Sequence, residues 1–264
     1  MKYALIGNTK IEATKGAKGT CPVCGSELIA KCGPDRMNHW AHKGTRNCDP
    51  WWENETEWHR TWKSNFPPEW QEVIHTDTQT GEKHIADVCT SNGFIIEFQH
   101  SFLNTDERIS REQFYKNLVW VIDGTRLKKD YPRFLKAKEK FRLTSKRGWF
   151  IVDFPDQCFP SSWVSSSVPV IFDFKGVEKI NYAHDWRYPL YLLFPKTDSV
   201  ETYVVIISRQ IFINSVITGD FFKQEQEPQQ QKIMTQQINS VPTESQRPSQ
   251  YVFNRGRYEK RRRL

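Results

Sequence analysis

The chain has no apolar run of the roughly 18 residues that a membrane-spanning helix needs. The apolar run in its first residues, Met1 to Gly7, is too short for the core of a secretory leader. These two absences predict a cytoplasmic protein with no membrane segment. No internal repeat is present. Cysteine is sparse: six in 264 residues, four of them between positions 21 and 48. Without a leader, cysteines so placed are expected to be thiols or metal ligands rather than a disulfide framework. Aromatics are plentiful at 14%, with ten tryptophans, so most of the chain is expected to bury a core. The net charge of +7 and pI near 9.0 favour an anionic partner.

Four segments follow from composition. Residues 1–48 open with a short apolar strand and a Lys/Gly/Thr-rich connection, then carry the cysteine cluster with little apolar periodicity, the mark of a small metal-organised module. Residues 49–147 read as an α/β unit with a mixed sheet. Asp49-Pro50 reads as an N-cap followed by proline, opening a helix that runs to about Phe66 before Pro67-Pro68. Asn104 to Glu107 opens a second helix, expected to reach Leu118, and Leu118 to Ile122 reads as a buried strand. Residues 148–222 are β-rich, with strands expected near 149–153, 168–173, 188–194 and 203–207, and a helix near 208–219. From 223 to 250 the chain turns to Gln, Glu, Pro and Ser, a linker or disordered segment. It ends in a basic tail, 255–263.

Within 21–48, Cys21-Pro-Val-Cys24 is followed after fourteen residues by His39-Trp-Ala-His42 and then by Cys48. A Cys-x2-Cys knuckle with histidines at that distance fits tetrahedral Zn²⁺ bound by sulfur and nitrogen. Five residues compete for four places. Cys21, Cys24, His39 and His42 are the favoured set, with Cys48 in reserve to displace one histidine and Cys32 as a bystander. A closed four-ligand site implies a structural ion.

The stretch from His84 to Gln99 reads as a hairpin. Ser91-Asn92-Gly93 suits a three-residue loop with Gly93 at positive φ. The loop pairs Thr90 with Phe94 and so sets Asp87 opposite Glu97, while Glu97 and Gln99 share a face. Facing carboxylates at roughly 5 Å between Cβ atoms destabilise a sheet unless a cation lies between them. In the preceding helix Glu55, His59 and Lys63 form one polar stripe, beside an apolar stripe of Trp51, Trp58 and Trp62. If that helix covers the hairpin, Glu55, Asp87 and Glu97 converge with the Gln99 amide into an oxygen-rich site suited to Mg²⁺ or Mn²⁺. Such a site activates water and stabilises charge on a phosphate being cleaved.

Arg111 and Tyr115, one turn apart, are placed to reach the same site or a phosphate, and Lys63 is grouped with them as a DNA contact. Residues 126–147 hold ten Lys/Arg against two Asp/Glu. With the basic tail, they are candidate contacts to a phosphate backbone, independent of sequence and sensitive to salt.

Together these motifs resemble the competence protein CoiA-like family. The resemblance rests on Cys21-Pro-Val-Cys24 and His39-Trp-Ala-His42, then Glu55-Thr-x-x-His59-x-x-x-Lys63, Ala86-Asp87-Val88, Glu97-Phe98-Gln99-x-Ser101, Arg111-x-x-Phe114-Tyr115 and Trp120, and covers about residues 1–125. That family is similar to PD-(D/E)XK nucleases, which implies an α/β core around a mixed sheet. By position the resemblance makes Asp87 and Glu97 the magnesium ligands and Glu55 the helix carboxylate. Gln99 stands where a lysine is usual. An amide supplies no positive charge, so Lys63 or Lys83 is the candidate to take that role. The resemblance implies a Mg²⁺-dependent deoxyribonuclease with a structural Zn²⁺, acting on DNA. Protein partners in DNA uptake, recombination or defence are expected with it. The alternatives are a catalytically weak or inactive DNA- or protein-binding adaptor on a nuclease fold, and a zinc-ribbon regulator.

Overall fold

The computed structural model describes residues 1–34, 36–44, 48, 51, 55–182, 184–196 and 201–221, together with the backbone of 251–254 and 257–260. Residues 1–221 form one compact unit and 222–264 another.

The first unit opens with five short strands: β1 (Tyr3–Ile6), β2 (Thr9–Glu12), β3 (Lys18–Thr20), β4 (Glu27–Lys31) and β5 (His39–His42). They form an antiparallel sheet in the order β2-β1-β3-β4-β5. Its small core is Met1, Ala4, Ala13, Cys21, Leu28 and Trp40. So small a core is a weak organiser by itself.

Helix α1 (Glu57–Lys63) follows. It is shorter than the expected 49–66 span, and Asp49-Pro50 lies outside the described residues. Thr56 is its N-cap: the Thr56 side chain accepts from His59 N and the His59 ring accepts from Thr56 N, a capping box that starts the first turn at Glu57. Glu55 therefore precedes the helix instead of lying on it, and Trp51 is also outside it. Trp58 and Trp62 do share a buried stripe, and both indole N–H groups donate to Asp173 Oδ2 at 2.9 Å.

Next come β6 (Gln71–Thr76), β7 (Lys83–Cys89), β8 (Ile95–Gln99), α2 (Thr105–Phe114) and β9 (Leu118–Asp123). The turn into β8 is as expected: Thr90 N donates to Phe94 O at 2.9 Å, and Gly93 has φ +79°. Helix α2 ends four residues before the expected Leu118, because Tyr115 is already extended and the chain must reach β9 beside β8. The basic stretch contributes α3 (Asp130–Lys138) and β10 (Arg142–Leu143). The remainder is β11 (Trp149–Val152), α4 (Pro155–Cys158), α5 (Ser161–Val164), β12 (Val170–Asp173), β13 (Leu190–Leu193), β14 (Thr202–Ile207) and α6 (Arg209–Thr218).

Strands β6 to β14 form a nine-stranded mixed sheet in the order β10-β11-β14-β13-β12-β9-β8-β7-β6. Strand β9, in the interior of the sheet, is parallel to both β8 and β12; every other pairing is antiparallel. Strands β8, β9 and β12 are buried along their whole length, as their Val/Ile/Phe-rich runs require in a sheet covered on both faces. The boundary expected at residue 147/148 falls inside this sheet. The β9–β12 pairing fuses the carboxyl-terminal strands to the site-bearing half, and one core runs from Ala86 and Trp120 to Tyr191 and Val204.

In the second unit, β15 (Tyr251–Asn254) and β16 (Arg257–Lys260) pair antiparallel. The expected Gln-rich linker, 223–250, lies outside the described residues.

Candidate active site and metal centre

The register of the sheet places three carboxylates in one row. Gln71 pairs with Val88 and Val73 with Ala86, which sets Glu72 on β6 opposite Asp87 on β7. Val88 pairs with Ile96 and Cys89 with Ile95, and the same register sets Asp87 opposite Glu97 on β8. Side-chain contacts agree: Asp87 N donates to Glu97 Oε1 at 3.3 Å, and Phe98 N donates to Asp87 Oδ2 at 3.0 Å. Three acids at cross-strand spacing repel one another.

Two buried cations relieve that repulsion. Lys63, from the last turn of α1, places Nζ 2.7 Å from Glu55 Oε1, 3.2 Å from Glu72 Oε1 and 3.6 Å from Asp87 Oδ1. Arg111, from α2, places Nη1 3.3 Å from Glu97 Oε2 and donates from Nη2 to Trp51 O at 2.6 Å and to Glu107. Burial opposes charge on every one of these groups. Attraction to Glu72, Asp87 and Glu55 nevertheless raises the Lys63 pKa above the usual ammonium value. Against the same burial penalty, Lys63 and Arg60 bring Glu55 down to about 2, and Lys63 also lowers Glu72.

Glu72 is not among the residues the sequence singles out, because β6 has only Val73 and Ile74 as apolar residues and carries no clear strand signal. Its one sequence signal is position, two residues past Pro-rich Phe66-Pro67-Pro68-Glu69-Trp70. Its backbone lies in the left-handed region, φ +49°. That conformation costs a non-glycine residue about 1 kcal/mol or more. Three donors hold it: Lys2 N at 2.8 Å, Tyr3 N at 3.0 Å and Lys63. Lys10 Nζ also caps the Gln71 and Glu72 carbonyls at 2.8 and 3.0 Å. The amino-terminal sheet thus docks on the very residue that completes the acidic row.

Trp51, Glu55, His59, Lys63, Glu72, Ile85, Asp87, Glu97 and Arg111, with Met1, line a pocket of about 60 Å³. At 10–15 Å³ per water-sized probe, that holds a few waters or a partly hydrated ion, and no nucleotide. Its lining carries the carboxylates of Glu55, Glu72, Asp87 and Glu97 with the cations Lys63 and Arg111, and Arg60 pairs with Glu55 from outside the lining. His59 is held by Phe98 O and by its capping box.

Three expected members stand elsewhere. Gln99 is buried, but its Nε2 donates to Ser101 O at 3.3 Å and Ser101 Oγ at 3.2 Å, and it does not line the pocket. Tyr115 packs in an aromatic cluster with Trp51, His75 and Phe114. Lys83 is exposed at the start of β7.

The second constellation is Cys21, Cys24, His42 and Cys48, whose ligand atoms all lie within 4.8 Å of one another. Cys24 Sγ is 3.4 Å and Cys48 Sγ 3.6 Å from His42 Nε2, and Cys21 Sγ is 3.9 Å from Cys48 Sγ. Three sulfurs and one imidazole nitrogen can hold a Zn²⁺. Burial pushes the Cys21 thiol up to about 12. Burial acts the same way on Cys24, but hydrogen bonds to Ser26 and His42 outweigh it and bring that thiol to about 6. His39 is not in the cluster. It and His42 are three apart on β5, so they point to opposite faces, and Cys48 takes the fourth place. Cys32 is outside as well, its Sγ 3.6 Å from Ala13 O. Among the described residues no three carboxylates of the acidic pocket come within that same 4.8 Å.

A small antiparallel sheet carrying a Cys/His cluster able to hold a metal ion, docked on a mixed α/β sheet, is the class of protein so defined. The family model for Competence protein CoiA, N-terminal domain matches residues 6–50, the segment that carries the cysteine cluster. No curated protein and no solved structure matches the chain. Among the described residues, no helix is long and apolar enough to cross a membrane.

Proposed function

We propose that the chain is a metal-dependent DNA nuclease that hydrolyses phosphodiester bonds, acting in the DNA handling associated with competence. The observation that carries this reading is the row Glu72–Asp87–Glu97, joined by Glu55, in one small pocket. The mixed sheet, with Asp87 and Glu97 facing each other on β7 and β8, fits the PD-(D/E)XK core that the resemblance implies. The family match supports a competence-related role.

The donors are all hard oxygens, which suits Mg²⁺ or Mn²⁺. Asp87 and Glu97 would hold the ion, and Glu55 and Glu72 would balance its charge. When bound, such an ion supplies Lewis-acid stabilisation of a phosphate oxygen and a more acidic water. Arg111 pairs with Glu97 and fixes its carboxylate from the α2 side. Lys63 is the ammonium among the acids, and it takes the electrostatic role that the Gln99 amide cannot fill: orienting a water and facing a developing negative charge. The Cys21, Cys24, His42 and Cys48 site would hold a structural Zn²⁺ that braces the sheet gripping Glu72.

The test is cleavage of linear, circular, nicked, branched and single-stranded DNA with Mg²⁺ or Mn²⁺, stopped by EDTA. Asp87→Asn should abolish cleavage while DNA binding persists; full cleavage by that variant would overturn the reading. The second reading, a non-catalytic DNA-binding adaptor, is favoured by the position of Gln99, turned to Ser101. It predicts binding without cleavage on every substrate and with either metal.

A further inference from the structure

His39 belongs to the same motif as the metal cluster yet faces away from it, which leaves open what it faces. It lies on the edge strand β5 directly opposite Lys31 on β4, so the two side chains share the sheet face that Trp40 and His42 do not. Arg36, in the loop between these strands, joins them. Lys31, Cys32, Gly33, Arg36, His39 and Ala41 line an open cavity of about 490 Å³, far larger than the acidic pocket. Among these lining residues two are permanent cations, one is an imidazole and none is acidic. Asp35, in the same loop, lies outside the described residues. His39 Nδ1 bonds Met37 O at 2.9 Å, which fixes the ring.

The loop is tied to the acidic pocket through Arg60. Arg60 on α1 donates from Nη2 to Asn38 O at 2.9 Å, and the same nitrogen pairs with Glu55. One guanidinium therefore links the backbone of this loop to Glu55, a lining residue of the acidic pocket.

We infer that Lys31, Arg36 and His39 form a phosphate-binding site on the outer face of the amino-terminal sheet, which holds the backbone of a DNA strand as it runs to the acidic pocket. The site is separate from the zinc ligands and from the basic stretch at 126–147. Part of that stretch is already engaged, Arg133 by Asp130 and Arg142 by Asp153 and Glu201. The backbone contacts are electrostatic, so they carry no sequence preference and are lost with salt. The identity of the polymer rests on the nuclease reading above; the anion site itself does not.

The experiment measures fluorescence anisotropy of a labelled single-stranded oligonucleotide across a salt series without divalent metal, using the full chain carrying Asp87→Asn. Adding Lys31→Glu with Arg36→Glu should weaken binding by about tenfold or more and reduce the slope of log affinity against log salt by about 1.4, for two single-strand phosphate contacts. Lys31→Gln with Arg36→Gln, which removes charge and keeps side-chain length, should lower the slope by a similar amount. Zinc content and thermal midpoint should match the parent, and His39→Ala should leave the zinc in place. Unchanged affinity and slope in both double variants, or no DNA binding by the parent, would overturn the proposal. Loss of the slope in a protein that cuts none of the DNA substrates would sustain the binding site and sink the nuclease reading.

Discussion

Lys63 Nζ sits 2.7 Å from Glu55 Oε1, with both side chains less than a tenth exposed, and it also faces Glu72 and Asp87. One ammonium thereby joins the segment before α1, the helix itself, β6 and β7. A buried charge network of this kind adds little net stability while whole, yet is costly to break, because removing one partner leaves the others desolvated and unpaired. Lys63→Met is expected to destabilise the protein by about 3–5 kcal/mol in denaturant unfolding. Glu55→Gln in the same chain should recover part of that loss, and a double-mutant cycle would show the coupling. Gln99→Ala, by contrast, should change cleavage far less than Lys63→Met does, since Gln99 is turned to Ser101.

The cysteine cluster makes a prediction by exclusion. Cys21→Ser, Cys24→Ser, His42→Ala and Cys48→Ser should each lower bound zinc, while His39→Ala should not. Metal analysis of purified variants reads this directly, and the cobalt-substituted protein should show the charge-transfer intensity of three thiolates. Because a metal that binds only the folded state adds its binding energy to folding, a strong chelator should melt the five-stranded sheet first. Loss of the sheet frees Glu72 from Lys2 and Tyr3, so cleavage should fall with the zinc even though no zinc ligand reaches the acidic row.

Acid should weaken the fold through Glu55. Burial favours its neutral form, but Lys63 and Arg60 overcome that and hold it at about 2, below the ordinary value of 4.5. A carboxylate with a depressed folded pKa contributes stability that is complete above its unfolded pKa and is lost as pH falls through its folded pKa. The loss should therefore lie between about pH 4.5 and 2 and amount to roughly 3 kcal/mol. Lys63 runs the other way: its raised pKa gives stability present below the ordinary lysine value and lost only at more alkaline pH. Denaturant midpoints should fall on the acid side, and Glu55→Gln should flatten that fall.

Asp173 anchors α1 from a distance. It is fully buried at the end of β12, and it accepts from the Trp58 and Trp62 indoles, from Arg209, and from the Lys175 and Gly176 amides. Asp173→Ala should cost about 3–5 kcal/mol by leaving Arg209 and two buried N–H groups without their acceptor. Since α1 carries Lys63, cleavage should fall along with the unfolding midpoint.

Local chemistry was readable where it depends on period and turn type. Gly93 at positive φ, the Thr90–Phe94 closure and the face-to-face setting of Asp87 and Glu97 all follow from a two-residue repeat and a three-residue loop. The Asn104 cap, the buried strand at Leu118 and the Ser208-capped helix α6 were likewise legible. The same parity argument, applied to His39 and His42, separates them, but only once 39–42 is known to be a strand, which four residues without flanking periodicity do not reveal.

By itself, then, the sequence determined the acidic hairpin, the Cys-x2-Cys knuckle and the amphipathic stripe of Trp58 and Trp62, because each is set by neighbours a few residues apart. Only the tertiary structure decided that Glu72 completes the row, that Lys63 stands at its centre, that Gln99 turns away and that Cys48 replaces His39. Those outcomes depend on which strands pair and on where charges removed from water find partners, and both are settled between residues far apart in the chain.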